Sequence, residues 1–528
     1  MMAEKTLIEA MLKPEFYPHK PPTVELFETH ISYIFLAGNY VFKMKKAVDF
    51  GFLDFSTLEK RLYYCQQELK LNKRLAPEVY LAVLPISRDE GGHFLLGEGR
   101  ESIEYVVKMK RLPEERMLKR LLAEGKADLA LMEAIARKIA DFHSQAETRP
   151  EIAEMGRREI IRHNHEENFL QTIPFLDITI TRLKYDFIKA YAYQFLENHQ
   201  SLFASRILKH KIRDCHGDLH LDHICILEEV VIFDCLEFNE RFRYEDVAAE
   251  VAFLAMDLDY NNYADFGDAF VKAYIRNSRD QDVATLLNFY KCYYAYVRGK
   301  VISFRVREQD VQAQDRGVAL SDAARYFDLA FTYAAHLEKP ALIITVGLMG
   351  TGKTVLAEAL ARRLGAEIIR SDVLRKEMLH LAPASRQHDA FGQGIYTEEI
   401  SRQIYREALQ RASALIRGGK TVIIDASYKK RRERKAVRDQ AWRLGANFFV
   451  LECLCPEEIV KVRLRERQED KGEASDGRWE LFRAQKADFD EVTEFTAENH
   501  LPLDTTADPE VYLDRALRFL KGLAAKDQ

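Results

Sequence analysis

Residues 341–354 read ALIITVGLMGTGKT. The run Ala341 to Val346 is apolar and strand-sized, and Gly347-Leu-Met-Gly350-Thr351-Gly352-Lys353-Thr354 has the spacing G-x-x-x-x-G-K-[ST]. Glycines at these places let backbone N–H groups turn inward around an anion. A helix opening at Lys353 points the positive end of its dipole at the same spot. In such a loop Lys353 reaches the β and γ oxygens of a nucleoside triphosphate, and the Thr354 hydroxyl is placed to ligate Mg²⁺. The pattern follows a strand and starts a helix, which is the context that gives it meaning, so Gly347, Gly350, Thr351, Gly352, Lys353 and Thr354 are the candidate nucleotide-binding residues.

Downstream, strand and helix alternate: helix 353–364, strand 366–370, helix 398–417, strand 420–425, helix 430–443, strand 447–453 and helix 457–468. That alternation predicts a three-layer α/β unit on a parallel sheet with right-handed crossovers. Lys339-Pro340 breaks the chain just upstream, so the domain boundary is expected near 338. The strand KTVIID ends in Asp425, placed to support Mg²⁺, though an aspartate there also reads as a helix N-cap. Strand 366–370 runs into Ser371-Asp372-Val-Leu-Arg375. Asp372 and Arg375 share a helix face, one to accept a hydroxyl proton and the other to hold an acceptor, with the N-cap as the plainer reading of Asp372. Arg463, Arg465 and Arg467 precede the polar loop QEDKGEASDG. Arg463 and Arg467 share a face, as a lid that neutralises a departing phosphoryl group requires, and as a solvated basic helix also would.

These residues resemble the small P-loop kinases of the AAA_33 type, related to polynucleotide 5′-kinase and to gluconate and shikimate kinases. The resemblance covers about 340–490, through the P-loop, Ser-Asp-x-x-Arg, the VIIDAS strand, and the arginine-rich lid with Ser475-Asp476. It implies phosphoryl transfer to a hydroxyl and leaves the acceptor open. The run Lys429 to Lys435 (KKRRERK) reads either as a grip on a phosphorylated or nucleic-acid acceptor or, preferably, as a solvated helix face.

Upstream, ISYIFLAGNYVFKMKK (residues 31–46) reads as two strands around a Gly-Asn turn, followed by a helix over 56–75 and strands over 79–86 and 103–109. Helices are expected over 126–143, 182–199 and from about 245 to 335, with a β-rich island at 223–235. Residues 215–223 read CHGDLHLDH, and eleven residues after His223 the strand VVIF delivers Asp234. A loop aspartate, a metal-binding residue five positions later and a second aspartate after a hairpin form the skeleton of eukaryotic-like kinases. Asp218 then takes the acceptor proton, and Asp234 and the residue at 223 hold Mg²⁺. Lys43 stands on strand 40–44 where an ATP-anchoring lysine belongs, and Glu68 on the next helix is its candidate ion-pair partner.

This half resembles the aminoglycoside phosphotransferase family over about 30–330, including Phe142-His143 and IFDCLEF. The fusion resembles a bacterial arrangement described as a bifunctional phosphotransferase and ATP-binding protein. The chain departs from the family twice. His223 stands where the family usually has asparagine, and imidazole suits Mg²⁺ poorly, so Asp222 is a candidate substitute. No G-x-G-x-x-G loop is present, leaving Thr29-His-Ile-Ser32 to cover the phosphates. His143 and His216 read as structural residues that orient backbone.

The expected architecture is an α+β bilobal protein-kinase-like domain over 1–338, with a small lobe to about 110, followed by an α/β P-loop domain over 339–528. A net charge of −5 over 528 residues argues against a nucleic-acid coat or a membrane surface. Seven scattered cysteines with no CxxC pair argue against a zinc knuckle and for reduced thiols. The opening MMAEKTLIEAMLKPEF has no apolar core of a signal peptide, and a cytoplasmic location is expected. The expected function is an ATP- and Mg²⁺-dependent kinase acting on a hydroxyl of a small molecule. The rivals are a P-loop kinase governed by a nucleotide-sensing front domain, a 5′-hydroxyl polynucleotide kinase, and an ATPase switch that transfers nothing.

Overall fold

The computed structural model describes every residue other than 1, 100, 308–312, 383–391, 470–476 and 525–528, with backbone alone at 2–5 and 467–469. It divides into two compact units, one of Met1–Thr179 with Phe195–Ala330 and one of Ile180–Gln194 with Phe331–Gln528. The boundary expected near 338 therefore moves to 330, and residues 180–194 leave the first unit for the second. The cause is packing that linear periodicity does not reveal. Phe187 meets Phe331 at 4.9 Å between ring centroids, and the Arg518 guanidinium lies 5.6 Å from the Phe187 ring.

The first unit is bilobal. Its sheet lobe is antiparallel, with strands in the order Val24–Glu28, Ser32–Ala37, Tyr40–Lys45, Glu101–Lys110, Tyr80–Arg88 and Phe94–Leu96. Along Tyr40–Lys45 the side chains alternate between the two faces. Phe42 and Met44 join Met11, Tyr17 and Phe35 in the core on one side. Lys43 and Lys45 point the other way and reach Glu68 on the helix Leu58–Asn72. Thr57 caps that helix by accepting the Lys60 N–H, and its buried stripe is Arg61, Cys65, Glu68, Leu71 and Asn72.

In the helical lobe, the helix Val247–Tyr260 is buried at every residue from Val247 to Leu258. Two of its three acids, Glu250 and Asp257, face the loop between the paired strands Ile212–Asp214 and Tyr244–Asp246 and the hairpin Ile224–Ile226/Val230–Ile232. Asp246 caps this helix through the Ala248 N–H (2.8 Å), and the fully buried Arg206 holds both Asp246 (2.7 and 2.9 Å) and Asp280 (2.6 and 2.8 Å). Removing only the cation strands two buried carboxylates, so Arg206→Met is expected to cost about 3–5 kcal/mol of stability. A melting temperature within a degree of the parent would contradict this.

The second unit is a parallel sheet in the order Glu367–Arg370, Val422–Asp425, Ala341–Val346, Asn447–Leu454 and His500–Asp504. Leu342, Ile344, Val422, Ile424, Phe448 and Val450 fill its core against the helices Glu398–Arg417 and Arg431–Arg443. The last strand and the closing helix Pro509–Lys521 lie beyond the alternation traced in the sequence. All seven cysteines are free thiols, six of them buried. Among the described residues, no helix is long and apolar enough to cross a membrane.

Candidate active sites

In the second unit, three strand ends converge. Gly347 follows Val346, Asp425 ends its own strand in register with Arg370, and Ser371-Asp372 opens the helix after Arg370. Carboxyl ends of parallel strands are where ligands sit in such sheets. The loop's glycines are required sterically. Gly347 has φ 140° and a Cβ there would stand 2.6 Å from the Cys453 carbonyl oxygen, while one at Gly350 (φ 77°) would press on Val460 at 2.9 Å.

Thr354 Oγ1 donates to Asp425 Oδ2 at 2.7 Å, and Asp425 Oδ1 accepts from Thr345 at 3.0 Å. Two hard oxygen donors already in contact form a set that fits Mg²⁺. Lys353 Nζ donates to the Leu348 carbonyl at 2.7 Å, so it closes its own loop. Arg463 donates to Thr505 O at 2.7 Å, and Thr505 Oγ1 donates to Thr351 O at 2.9 Å, which ties the helix Glu457–Glu469 to the P-loop.

Asp372, Arg375, Lys353, Thr354, Asp425 and Arg463 all line one cavity of about 720 Å³. Arg375 is 4% exposed, donates to the Ile395 carbonyl at 2.9 Å and lies 4.8 Å from the Tyr396 ring. The Arg467 side chain and Ser475-Asp476 lie outside the described residues. The basic run is largely matched by acids. Lys429 and Lys430 meet Asp488 at 2.5 and 2.6 Å, Arg432 pairs with Glu398, and the buried Arg434 meets Glu494 at 2.5 Å.

In the first unit, Lys43 Nζ bridges Glu68 Oε1 at 2.9 Å and Asp234 Oδ1 at 2.6 Å, joining the two lobes. Burial alone would lower the Lys43 pKa, but Asp234, Glu68 and Glu237 together raise it well above the ordinary range. Lys45, unforeseen in the sequence, meets Glu68 Oε2 at 2.7 Å and also pairs with Glu237. Asp234 is a non-glycine residue at φ 61°, held there by its N–H donating to the Tyr80 hydroxyl at 3.1 Å. Strained backbone of this kind persists where the surroundings over-determine it.

The Asp218 loop is pinned from behind. Glu250 Oε1 accepts the N–H groups of His216 (2.7 Å) and Gly217 (2.8 Å), its Oε2 meets His143 Nε2 at 2.6 Å, and Asp257 accepts the Leu221 N–H at 2.9 Å. His216 Nε2 meets the Phe233 carbonyl at 2.9 Å, and burial lowers its pKa to about 4. His143 and His216 thus hold structure in place. Asp218 has His220 Nε2 at 3.7 Å and His223 Nδ1 at 3.6 Å. Burial pushes its carboxyl up, and His220, His223 and Arg298 outweigh this and bring it well below the carboxylate range. An ionised Asp218 is a competent proton acceptor.

His223 lies between the two aspartates. Its Nδ1 meets the Asp218 carbonyl at 2.9 Å and its Nε2 faces Asp234 Oδ2 at 3.6 Å. Burial and His220 lower its pKa, and the Asp218 and Asp234 carboxylates oppose them in part. Asp222, the proposed substitute ligand, instead turns to Lys119 at 3.0 Å. In the turn at 29–32, Thr29 Oγ1 accepts the N–H groups of Ile31 (3.3 Å) and Ser32 (2.9 Å), so those donors are taken from any phosphate. Asp234 suits Mg²⁺, whereas His223 adds a nitrogen that Mg²⁺ does not prefer.

Several residues of these sites escaped the sequence reading: Lys45, Glu237, Glu250, Asp257, Arg298, Thr345 and Arg370. One signal was present. Glu250 and Asp257 stand inside VAAEVAFLAMDLDY, and acids within an otherwise apolar buried helix require partners.

The AAA_33 family, an AAA domain, matches residues 342–492. The chain is 30% identical over 470 residues to the uncharacterized protein Rv2004c of Mycobacterium tuberculosis (strain ATCC 25618 / H37Rv), covering 89% of this chain and 91% of that one. Among solved structures, the amicoumacin kinase hAmiN in complex with AMP-PNP, Ca²⁺ and Ami aligns with 62% of this chain and 93% of its own, at 12% identity and a TM-score of 0.38. A sugar kinase from Janibacter sp. HTCC2649 aligns with 35% and 94%, at 22% identity and a TM-score of 0.27.

Proposed function

The chain belongs to the same family as Rv2004c of Mycobacterium tuberculosis, and for it we propose two ATP-dependent phosphotransferase sites that each act on a hydroxyl. For the second unit the observation that carries this reading is one cavity lined both by the Thr354–Asp425 pair and by the two residues Asp372 and Arg375. The first pair is where a nucleotide's metal ion would be held, and the second is where an acceptor would sit. In the proposed reaction the acceptor oxygen bonds to the γ-phosphorus, the bond to the β–γ bridging oxygen breaks, and the hydroxyl proton passes to Asp372. The products are ADP and a phosphate monoester. Mg²⁺, when bound, would neutralise charge on the phosphates. Lys353 and Arg463 would supply the fixed positive charge around them.

Asp218 would take the same proton in the first unit, with Lys43 and Asp234 facing the nucleotide. A small-molecule acceptor is favoured over nucleic acid because Lys429, Lys430, Arg432 and Arg434 are matched by acids of the same unit.

The test is to incubate the full chain with γ-labelled ATP and a metabolite extract and identify what gains phosphate. Label on no acceptor, with phosphate released to water, would favour the ATPase switch. In the same assay Asp372→Asn is expected to lower kcat of the P-loop site by about 10²-fold and leave ATP affinity nearly intact. Equal loss of ATP binding would make Asp372 a structural residue.

A further inference from the structure

We infer that the first unit's nucleotide site takes a first-row transition ion such as Mn²⁺ in preference to Mg²⁺, with His223 Nε2 as a direct ligand. The inference rests on the proposed reading that this site binds nucleotide with a metal ion, and it adds the class of that ion. Four observations carry it.

The first is the orientation of the ring. His223 Nδ1 is occupied by the Asp218 carbonyl at 2.9 Å. A carbonyl only accepts, so Nδ1 carries the proton and Nε2 is the nitrogen left to face Asp234 and an ion. This is the arrangement that fixes metal-binding histidines, a backbone carbonyl holding the far nitrogen.

The second is what Nε2 faces. Asp234 divides its oxygens: Oδ1 meets Lys43 at 2.6 Å, and Oδ2 stands 3.6 Å from His223 Nε2. Two donors each about 2.1 Å from one ion stand roughly 3–3.4 Å apart, so a shift of a few tenths of an ångström closes the site.

The third is the exclusion of competing roles. Asp222, the nearby oxygen donor that would restore an all-oxygen set, is turned to Lys119 at 3.0 Å. His220 accepts the Asp222 N–H at Nδ1 (3.4 Å) and its Nε2 faces Asp218 Oδ2 at 3.7 Å, so both its nitrogens are turned to other groups.

The fourth is chemistry. One imidazole nitrogen and one carboxylate oxygen, completed by phosphate oxygens, is a mixed set. Mn²⁺ and its neighbours accept such a set, and Mg²⁺, which prefers oxygen alone, is penalised by it. The P-loop site, with Thr354 and Asp425, offers oxygen and carries no such bias.

The test uses the full chain carrying Asp425→Asn, so that the P-loop metal pair is disabled, with Mn²⁺ and the non-hydrolysable analogue AMP-PNP. Pulsed electron paramagnetic resonance should detect directly bound nitrogen, and labelling the protein with [¹⁵N]histidine should convert that signal to the ¹⁵N pattern, which excludes nitrogen of the nucleotide. His223→Asn should abolish the histidine signal and weaken Mn²⁺ binding about tenfold. It should leave Mg²⁺ binding equal or improved.

Nucleotide binding with no histidine nitrogen on Mn²⁺, and with the same Mn²⁺/Mg²⁺ preference in His223→Asn, overturns the inference and leaves the nucleotide site standing. No metal-dependent nucleotide binding in the Asp425→Asn chain with His223 intact overturns both. The isotope measurement is made on the chain with His223 intact, so a misfolded variant does not blunt it.

Discussion

Lys353→Ala is expected to cut phosphoryl transfer at the P-loop site by about 10³-fold or more without unfolding the chain. The Lys353 ammonium ends at the Leu348 carbonyl (2.7 Å), inside the loop that faces the cavity, and takes no part in the apolar core beneath the sheet. It sits at the first position of the helix Lys353–Leu364, where alanine is an excellent helix former. Substitution therefore removes a cation from the place where negative charge builds on the leaving phosphates and leaves packing alone. The comparison is made in an Asp218→Asn background, chosen to remove the base proposed for the other site, by following label from γ-labelled ATP into product and by calorimetric melting. Retained transfer would remove the P-loop from the mechanism. A large drop in melting temperature would show that the lysine holds the loop together structurally.

The second unit was the more legible half because its signals are local. A strand that is apolar throughout, a glycine loop and an amphipathic helix occupy one continuous stretch, and the strand 341–346 and helix 353–364 appear in the structure at the expected residues. The structure brings Thr354 against Asp425 because the strand that ends in Asp425 neighbours the strand that leads into the P-loop, an order the sequence does not state. What stayed hidden was non-local. Helix 182–198 is amphipathic by sequence, but nothing in its pattern says that Phe187 packs on Phe331. Lys45 differs from Lys43 only by one period of the strand, so alternation places both on one face and cannot say which meets Asp234. That choice is made by the pleat, which puts Lys43 beside Asp234 and Lys45 beside Glu237.

Asp222 shows the reverse error. Its spacing suited a ligand, and the short helical turn Leu221–His223 rotates it outward to Lys119. Glu250 teaches something else. A carboxylate within the buried helix Val247–Tyr260 satisfies two loop N–H groups and a histidine, so the cost of burying it is offset by fixing the loop that presents Asp218.

In the first unit, Asp234→Asn is expected to abolish metal-dependent nucleotide binding while leaving the backbone undisturbed. The choice of asparagine matters. Residue 234 has φ 61°, a region that asparagine tolerates and most residues resist, so Asp234→Ala would mix backbone strain with loss of charge. The asparagine keeps shape and one oxygen, and removes the charge that meets Lys43 at 2.6 Å and the oxygen that faces His223 at 3.6 Å. Burial raises the Asp234 pKa and the neighbouring Lys43 outweighs it, so the native group is ionised throughout the physiological range and available to a cation. Lys43 would keep Glu68 at 2.9 Å and remain paired, which is why the fold should hold. Calorimetric titration of AMP-PNP into the full chain carrying Lys353→Ala and Asp425→Asn, with and without divalent ion, isolates this site. Binding that depends on the ion in the parent and disappears in Asp234→Asn is the expected pair of results. Undiminished ion-dependent binding would place the metal on other residues and leave Asp234 as the partner that positions Lys43.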